Sequence, residues 1–321
     1  MYVLEFAGED DPFAAAEASA AATGVSIRAP GVGLADAVAL DRAAGLAYTH
    51  RVSDLLAETE GTVERAAAAL ESVPVDRRGS VAVRARDVRG TAGVDTQNAE
   101  RRLGGVLVDR GFTVDLTDPE HALVALFAGD RAILGWAVAS PRRDFGATPT
   151  DRPFFQPGSM DPMLARAVCN LARVEPGDLV LDPMCGTGGL LIEAGRLGAR
   201  PVGLDAQSKM VTGARENLRA ALDTAPLVAR GDATRLPFPT GSVDAVVFDA
   251  PYGRQSKIET HGLETLVRGA LTEAARVSSR AVVVADRPYE TLARAAGWTV
   301  AARYDRRVHR SLTRYVHVLE A

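Results

Sequence analysis

The 321-residue chain is long enough for two ordinary domains, and with 47% hydrophobic and 24% charged residues it excludes the disordered and fibrous classes. A formal net charge of −4 supplies no overall basic field for nucleic acid, so any such contact must come from local clusters of arginine, Lys209 and Lys257 being the only lysines. No run approaches the roughly 20 apolar residues of a membrane span, and Met1 to Phe6 lacks the basic start of a signal peptide, so a cytoplasmic protein without membrane contact is expected.

From the N-terminus, strand-like runs at Tyr2 to Phe6, Ser80 to Arg84, Phe112 to Leu116 and Leu123 to Phe127 alternate with alanine-rich helical stretches at Pro12 to Ala22 and Val63 to Leu70. This predicts an α+β domain. Between Ser140 and Pro157 the prolines 141, 149, 153 and 157 and Gly146 interrupt regular structure. A boundary near Phe145 follows, giving a first domain over 1–145, a linker over 146–160 and a second domain over 161–321.

The second half is regular. Helix Pro162 to Ala172, strand Leu179 to Asp182, helix Leu190 to Leu197, strand Pro201 to Leu204 and helix Ser208 to Ala221 are followed by strands at Val243 to Phe248 and Ala281 to Ala285, with a helix over Leu263 to Ala275 between them. Such alternation predicts a mainly parallel sheet covered on both faces. Trp298 to Arg303 and Arg314 to Leu319, separated by the polar Asp305 to Ser311, predict a closing antiparallel hairpin.

The most informative local signal is Leu179-Val-Leu-Asp182-Pro-Met184-Cys185-Gly186-Thr187-Gly188-Gly189, a strand entering a glycine-rich turn and then a helix. Gly186 and Gly188 remove Cβ atoms from the path of a ligand, and the helix N-terminus offers free N–H groups to a carboxylate or phosphate. The dinucleotide fingerprint needs a further glycine where Leu191 stands, which counts against an NAD-dependent oxidoreductase. Asp205, followed by Ala206, ends the next strand, where a carboxylate can accept from both ribose hydroxyls of a nucleoside. Asp232, followed by Ala233, ends the one after and can accept from an adenine amino group. Singly, each acid is accounted for by a cap or a turn. Three in register at successive strand ends point to an adenosine-containing ligand at the sheet edge.

The next strand ends in Asp249-Ala250-Pro251-Tyr252-Gly253-Arg254. An exocyclic ring amine is a poor nucleophile because its lone pair is delocalised into the base. Asp249 and the backbone carbonyl of Ala250 can accept its two hydrogens and direct the lone pair, Pro251 can fix the turn, and Tyr252 is expected to stack on the base and offset the cost of extracting it. Cys185 is expected to pack rather than act as a nucleophile, and His261 to be a solvated loop residue. Cys169 and Cys185 form no metal-ligand pattern with a nearby histidine and no disulfide is expected, so no metal is assigned.

At these residues the C-terminal half resembles the Rossmann-type amino-methyltransferases, whose signature is Asp/Asn-Pro-Pro-Tyr or Phe at the end of the fourth strand. Arg152-Pro-Phe-Phe-Gln-Pro-Gly-Ser159-Met160-Asp-Pro-Met-Leu-Ala-Arg166, with the glycine loop and the Asp249 turn, is similar to the archaeal tRNA guanine-N2 methyltransferases that modify guanosine 10. Leu46-Ala-Tyr-Thr-His-Arg51, Val81-Ala-Val-Arg-Ala-Arg86 and Val114-Asp-Leu-Thr-Asp-Pro-Glu-His121 resemble a THUMP domain with its ferredoxin-like lead-in. The likeness covers nearly the whole chain. It implies a Rossmann-like methyltransferase joined to an N-terminal α+β THUMP and ferredoxin-like RNA-binding domain, with S-adenosyl-L-methionine as cofactor, tRNA as partner and one or two methyl transfers to guanine N2. A monomer is expected.

Carried over residue by residue, the resemblance assigns Asp182, Met184, Cys185, Gly186, Thr187, Gly188, Asp205, Ala206, Asp232, Ala233 and Asp249 to the cofactor, with Ser159 and Met160 at the methyl end. Arg84, Arg86, Arg101, Arg102, Arg142, Arg143 and Arg254 are candidate RNA contacts. One departure stands out: the family usually has proline where this chain has Ala250, which loosens the expected turn although only the carbonyl of that residue is needed. Alternatives are the same chemistry at guanosine 6 of tRNA or on ribosomal RNA, and a non-catalytic RNA-binding protein with a vestigial cofactor fold. Adenine N6 in DNA would need no THUMP-like half.

Overall fold

The computed structural model describes residues 1–223, 227–252, 260–310 and 312–321, and the chain divides into two units, Met1–Arg143 and Asp144–Ala321. The first runs β1 (Tyr2–Phe6), α1 (Asp11–Ala18), β2 (Ala22–Thr23), β3 (Ser26–Ala29), β4 (Val32–Ala35), β5 (Ala37–Val38), α2 (Leu40–Ala43), β6 (Thr49–Glu60), α3 (Val63–Ser72), β7 (Ser80–Asp87), α4 (Thr96–Asp109), β8 (Thr113–Val114), β9 (His121–Ala128) and β10 (Arg131–Ala139). Eight of these strands form one sheet in the order β3-β4-β1-β6-β10-β9-β7-β8. Side-chain caps start its longer helices: Asp10, Thr62 and Asp95 accept from Phe13, Arg65 and Asn98 backbone N–H groups. The apolar faces of α3 and α4 bring Leu70, Leu103 and Leu107 against Leu123 and Phe127 of the sheet. The alanine-rich helix predicted to reach Ala22 stops at Ala18. Ala22 pairs instead with Val38 in a two-strand ribbon, next to a turn that needs Gly24 at φ +63.

The second unit continues with α5 (Pro162–Leu171), β11 (Leu179–Asp182), α6 (Gly189–Arg196), β12 (Arg200–Asp205), α7 (Ser208–Ala221), β13 (Leu227–Arg230), β14 (Ala245–Asp249), α8 (Thr260–Val277), β15 (Arg280–Ala285), α9 (Glu290–Ala295), β16 (Thr299–His309) and β17 (Leu312–Glu320). Its sheet is ordered β13-β12-β11-β14-β15-β17-β16, parallel except that β17 runs antiparallel to both neighbours. Cores lie on both faces. On one, Leu263, Val267 and Leu271 of α8 cover Val246, Phe248 and Val283, and on the other Leu191, Ala214 and Leu218 of α6 and α7 cover Val228. This is the predicted doubly wound Rossmann-like architecture. The strand order turns back on itself between β11 and β14, and such sheets bind ligands at the carboxyl ends of the strands flanking that point.

Three expectations need correction. The segment 146–160 is not a free linker: Gly146 N–H donates to Glu193 Oε1, and Phe154 exchanges backbone hydrogen bonds with the Asn217 side chain, so residues from Asp144 onward belong to the second unit. His261, expected in a loop, lies in the first turn of α8. The segment from Asp305 to His309 is strand in its backbone, since an edge hairpin can turn polar side chains such as Asp305 and Arg307 to solvent while its backbone pairs.

Candidate active site

β11 ends at Asp182 and the chain turns through Gly186 and Gly188 into α6. Both glycines have positive φ, +51 and +80, but they serve different ends. A Cβ on Gly186 would meet nothing within 4 Å, whereas on Gly188 it would lie 2.5 Å from Leu218 Cδ1. Gly186 keeps the ligand path open, and Gly188 lets α6 close on α7. Gly188, assigned above to the cofactor, lines neither of the two cavities at this edge.

The larger cavity, about 660 Å³, is lined by Met184, Gly186, Asp205, Ala206, Asp232 and Ala233 at one end and by Asp249, Ala250, Pro251 and Tyr252 at the other. A smaller one of about 160 Å³ shares Met184, Gly186 and Asp249 and adds Ser159, Met160, Asp182, Cys185 and Thr187. Ser159 Oγ donates to the Gln156 carbonyl at 2.7 Å and lies 3.1 Å from Thr187 Oγ1, which joins the loop before α5 to the glycine turn. The structure therefore brings together all but one of the cofactor residues drawn from the sequence.

Their chemistry fits a cationic nucleoside. Asp182, 2% exposed, accepts among the described residues from Met184 N–H at 3.0 Å. Asp205 accepts from Gly186 N–H at 3.0 Å and Gln207 N–H at 2.8 Å. Burial pushes both carboxyls up, and neither has a cationic side-chain partner among the described residues. A positively charged ligand at this edge would offset that cost. Asp232 is an ordinary exposed acid; Thr234 donates to its Oδ1 through both N–H and hydroxyl and holds it below the usual range, which leaves Oδ2 to accept from an adenine amino group. At the opposite pole, Arg152 is 6% exposed with neither Nη atom hydrogen-bonded and packs on Gly189. Arg152 lines neither cavity, whereas Gly189 and Leu190 at the N-terminus of α6 line the smaller one, and a helix N-terminus there favours a carboxylate.

Asp205→Ala therefore weakens S-adenosyl-L-methionine binding about 10- to 100-fold, the worth of one or two hydrogen bonds to a charged acceptor, with little change in melting temperature. Calorimetric titration measures it, and an unchanged dissociation constant would remove Asp205 from the site.

At the end of β14 burial pushes Asp249 up to about 6, opposed by the Arg314 charge and the Tyr252 hydrogen bond. The Tyr252 hydroxyl donates to Asp249 Oδ1 at 2.7 Å and accepts from Arg314 Nε at 2.9 Å. The phenol is thus tethered inward, and the stacking role expected for Tyr252 is left to its ring edge and face alone. Arg314 was missed in the sequence. It sits at a core-facing position of β17, in phase with buried Val316, and an arginine at an apolar phase of a strand was the signal. Ala250, 2% exposed, donates its backbone N–H to the Val284 carbonyl at 2.8 Å, a bond that proline cannot make. The turn is held by that bond where the family uses a ring.

Cys185 is 6% exposed and burial pushes its thiol up, away from thiolate chemistry. No cluster of three or more His, Cys, Asp or Glu placed to hold a metal is present among the described residues, and no described helix is long and apolar enough to cross a membrane. The candidate RNA-contact arginines differ. Arg86 pairs with buried Glu5 at 2.8 Å, Arg143 donates to the Ala47 and Thr49 carbonyls, and Arg84 donates to the Leu116 carbonyl, so these three hold the fold of their own unit. Arg101, Arg102 and Arg142 are exposed, Arg102 forming only a 3.5 Å surface pair with Glu71. Arg254 lies outside the described residues.

A doubly wound sheet carrying this carboxylate series, an open glycine turn and an Asp-Ala-Pro-Tyr corner defines an S-adenosyl-L-methionine-dependent methyltransferase, preceded here by an α+β THUMP and ferredoxin-like unit. Residues 149–316 match the UPF0020 family, described as RMKL-like, methyltransferase domain. The chain is 38% identical over 284 residues, 86% of its length and 83% of the relative's, to the tRNA (guanine(10)-N2)-dimethyltransferase of Methanothermobacter thermautotrophicus. It is 33% identical over 227 residues, 66% of this chain and 65% of the other, to the tRNA (guanine(6)-N2)-methyltransferase of Thermus thermophilus. The crystal structure of TrmN from Thermus thermophilus superposes with a TM-score of 0.52 at 26% identity and covers 99% of each chain. The chain belongs to the archaeal tRNA (guanine(10)-N2)-dimethyltransferase family.

Proposed function

We propose that the protein methylates the exocyclic N2 of guanosine 10 in tRNA, first once and then a second time, with S-adenosyl-L-methionine as methyl donor. The observation that carries the reading is the corner at the end of β14, where Asp249 and Ala250 line the same cavity as Asp205 and Asp232. Two acceptors side by side suit an amine with two hydrogens. The position in tRNA rests on the relative named for guanosine 10, which aligns over 86% of this chain.

When bound, the cofactor supplies an electrophilic methyl on a sulfonium. Asp249 and the Ala250 carbonyl accept from the two N2 hydrogens and turn the lone pair toward that methyl. As the N–C bond forms and the C–S bond breaks, the nitrogen must shed a proton, and Asp249, at about 6, is an acceptor matched to neutral pH. After the first transfer one hydrogen remains, and one of the two acceptors suffices to orient it for the second. Exposed Arg101 and Arg102 are candidate phosphate contacts on the N-terminal unit, with Arg142 beside them in exposure. A cytoplasmic monomer goes with this reading.

The test is nucleoside mass spectrometry with site mapping on unmodified tRNA incubated with protein and S-adenosyl-L-methionine. Methylated guanosine at position 10 is expected. Product at position 6 instead would favour a second reading, which the likeness to the Thermus guanosine-6 enzyme supports. Intact tRNA and cofactor binding without product would overturn both.

A further inference from the structure

Arg314 stands on β17, 62 residues beyond Tyr252 in the chain, yet is 4% exposed and reaches three parts of the site. Its Nε donates to the Tyr252 hydroxyl at 2.9 Å, its Nη2 donates to the Gly158 carbonyl at 2.9 Å, and the same Nη2 lies 3.8 Å from Asp249 Oδ2. Gly158 precedes Ser159 and Met160 in the loop lining the small cavity. One side chain thus spans the closing hairpin, the catalytic corner and the loop before α5.

We propose that Arg314 is a positioning residue that sets the polarity of a hydrogen-bond chain running Arg314 to Tyr252 to Asp249, and so keeps Asp249 an acceptor for the substrate amine. Guanidinium can only donate. The phenol oxygen must therefore accept from Arg314, which commits its own hydrogen to Asp249 Oδ1, and a carboxyl oxygen that accepts there leaves Oδ2 to receive an N–H of the base. At 3.8 Å Arg314 is too far to occupy Oδ2 with a hydrogen bond but close enough to favour its charge. Without Arg314 the hydroxyl can reverse and accept from a protonated Asp249, and the corner then presents a donor where the amine also donates.

Among the described residues the other charged group acting on Asp249 is Asp286, itself paired with Arg287, and it opposes ionisation. Arg314 is the described cation that counters it, and burial is what it must overcome. This inference rests on the methyl-transfer reading for its consequence, but the polarity of the chain can be tested without turnover.

The experiment is a carboxyl 13C NMR titration of the full-length protein, with the Asp249 resonance assigned by its loss in Asp249→Asn, repeated on Arg314→Met, Arg314→Lys and Tyr252→Phe. Kinetics against pH and cofactor titrations are run on the same variants. In Arg314→Met the Asp249 midpoint should rise by about one unit or more, with a smaller rise in Tyr252→Phe. At pH 7 kcat should fall about 10²-fold in Arg314→Met, most of it from lost positioning of the corner and about twofold from Asp249 left half-protonated; only that twofold part should disappear towards pH 9, and cofactor affinity should stay within about threefold. Arg314→Lys keeps the charge but not the fork, so it should restore the midpoint more than the rate. An Asp249 midpoint unchanged in Tyr252→Phe and in the Arg314 variants that fold would overturn the proposal, as would a rate deficit equal at every pH. A shifted midpoint together with no methylated product from the wild-type protein would leave Arg314 in place and refute the methylation reading instead.

Discussion

Asp249→Ala lowers turnover by about 10³-fold or more, while S-adenosyl-L-methionine still binds within about threefold of the wild-type affinity. The size follows from what is lost: one of two groups that orient the amine, and the acceptor for its proton. Single-turnover product formation on tRNA measures it, and turnover within about tenfold of wild type would refute the role given to the corner. The conservative Asp249→Asn should be similarly slow but more stable. Burial raises this carboxyl to about 6, so the folded chain holds the proton more tightly than the unfolded one. The stability of the protonated form is complete below the ordinary carboxylate range and is lost as pH rises through about 6. At pH 8 the asparagine variant should therefore melt higher than wild type, and at pH 4 the two should converge.

The second large effect is structural. Arg166 on α5 and Glu193 on α6 are both 0% exposed and meet at 2.7 Å. Glu193 also accepts from Gly146 N–H at 2.7 Å, and the Arg166 guanidinium lies 5.3 Å from the centre of the Phe145 ring. Glu193→Ala removes the carboxylate and leaves a fully buried guanidinium with, among the described residues, the Phe145 ring and a 3.5 Å contact to Asp144, together with a Gly146 amide that has lost its acceptor. A cost of about 3–5 kcal/mol is expected, a large part of the stability of an ordinary domain. Chemical denaturation reads it, and a loss below about 1 kcal/mol would mean that water reaches Arg166. The double variant Arg166→Met, Glu193→Leu should lose less than Glu193→Ala, since it leaves no charge stranded.

What could be read from the sequence was local. Asp182, Asp205 and Asp249 end strands and Asp232 lies two residues beyond β13, and a strand followed by a turn and a helix is written in adjacent residues, so these positions and the glycine turn emerged together. The role of Gly188 did not, because the same residue type answers two needs and only the nearness of Leu218 tells them apart. Arg314 was invisible for a different reason. Its partners lie 62 and 156 residues away, and no motif spans such a gap. Arg152 lay inside the quoted motif without a role, since an arginine after a proline-rich stretch looks solvated until burial is known. In the N-terminal unit, β6 escaped notice because most of its residues are half-buried on both faces, which blurs the alternation a strand otherwise displays.

The amide of Ala250 links the chemistry of this protein to heat. A pyrrolidine ring restrains the backbone by covalent geometry and keeps doing so at any temperature the chain survives. The bond from Ala250 to Val284 restrains it only while β14 and β15 remain zipped, so the order of the corner is borrowed from the sheet and returned each time the strand ends open. The working range of the enzyme is then bounded by local fraying as well as by global unfolding. Turnover should fade with warming before the fold gives way, and the exchange rate of a single amide proton reports the margin between the two.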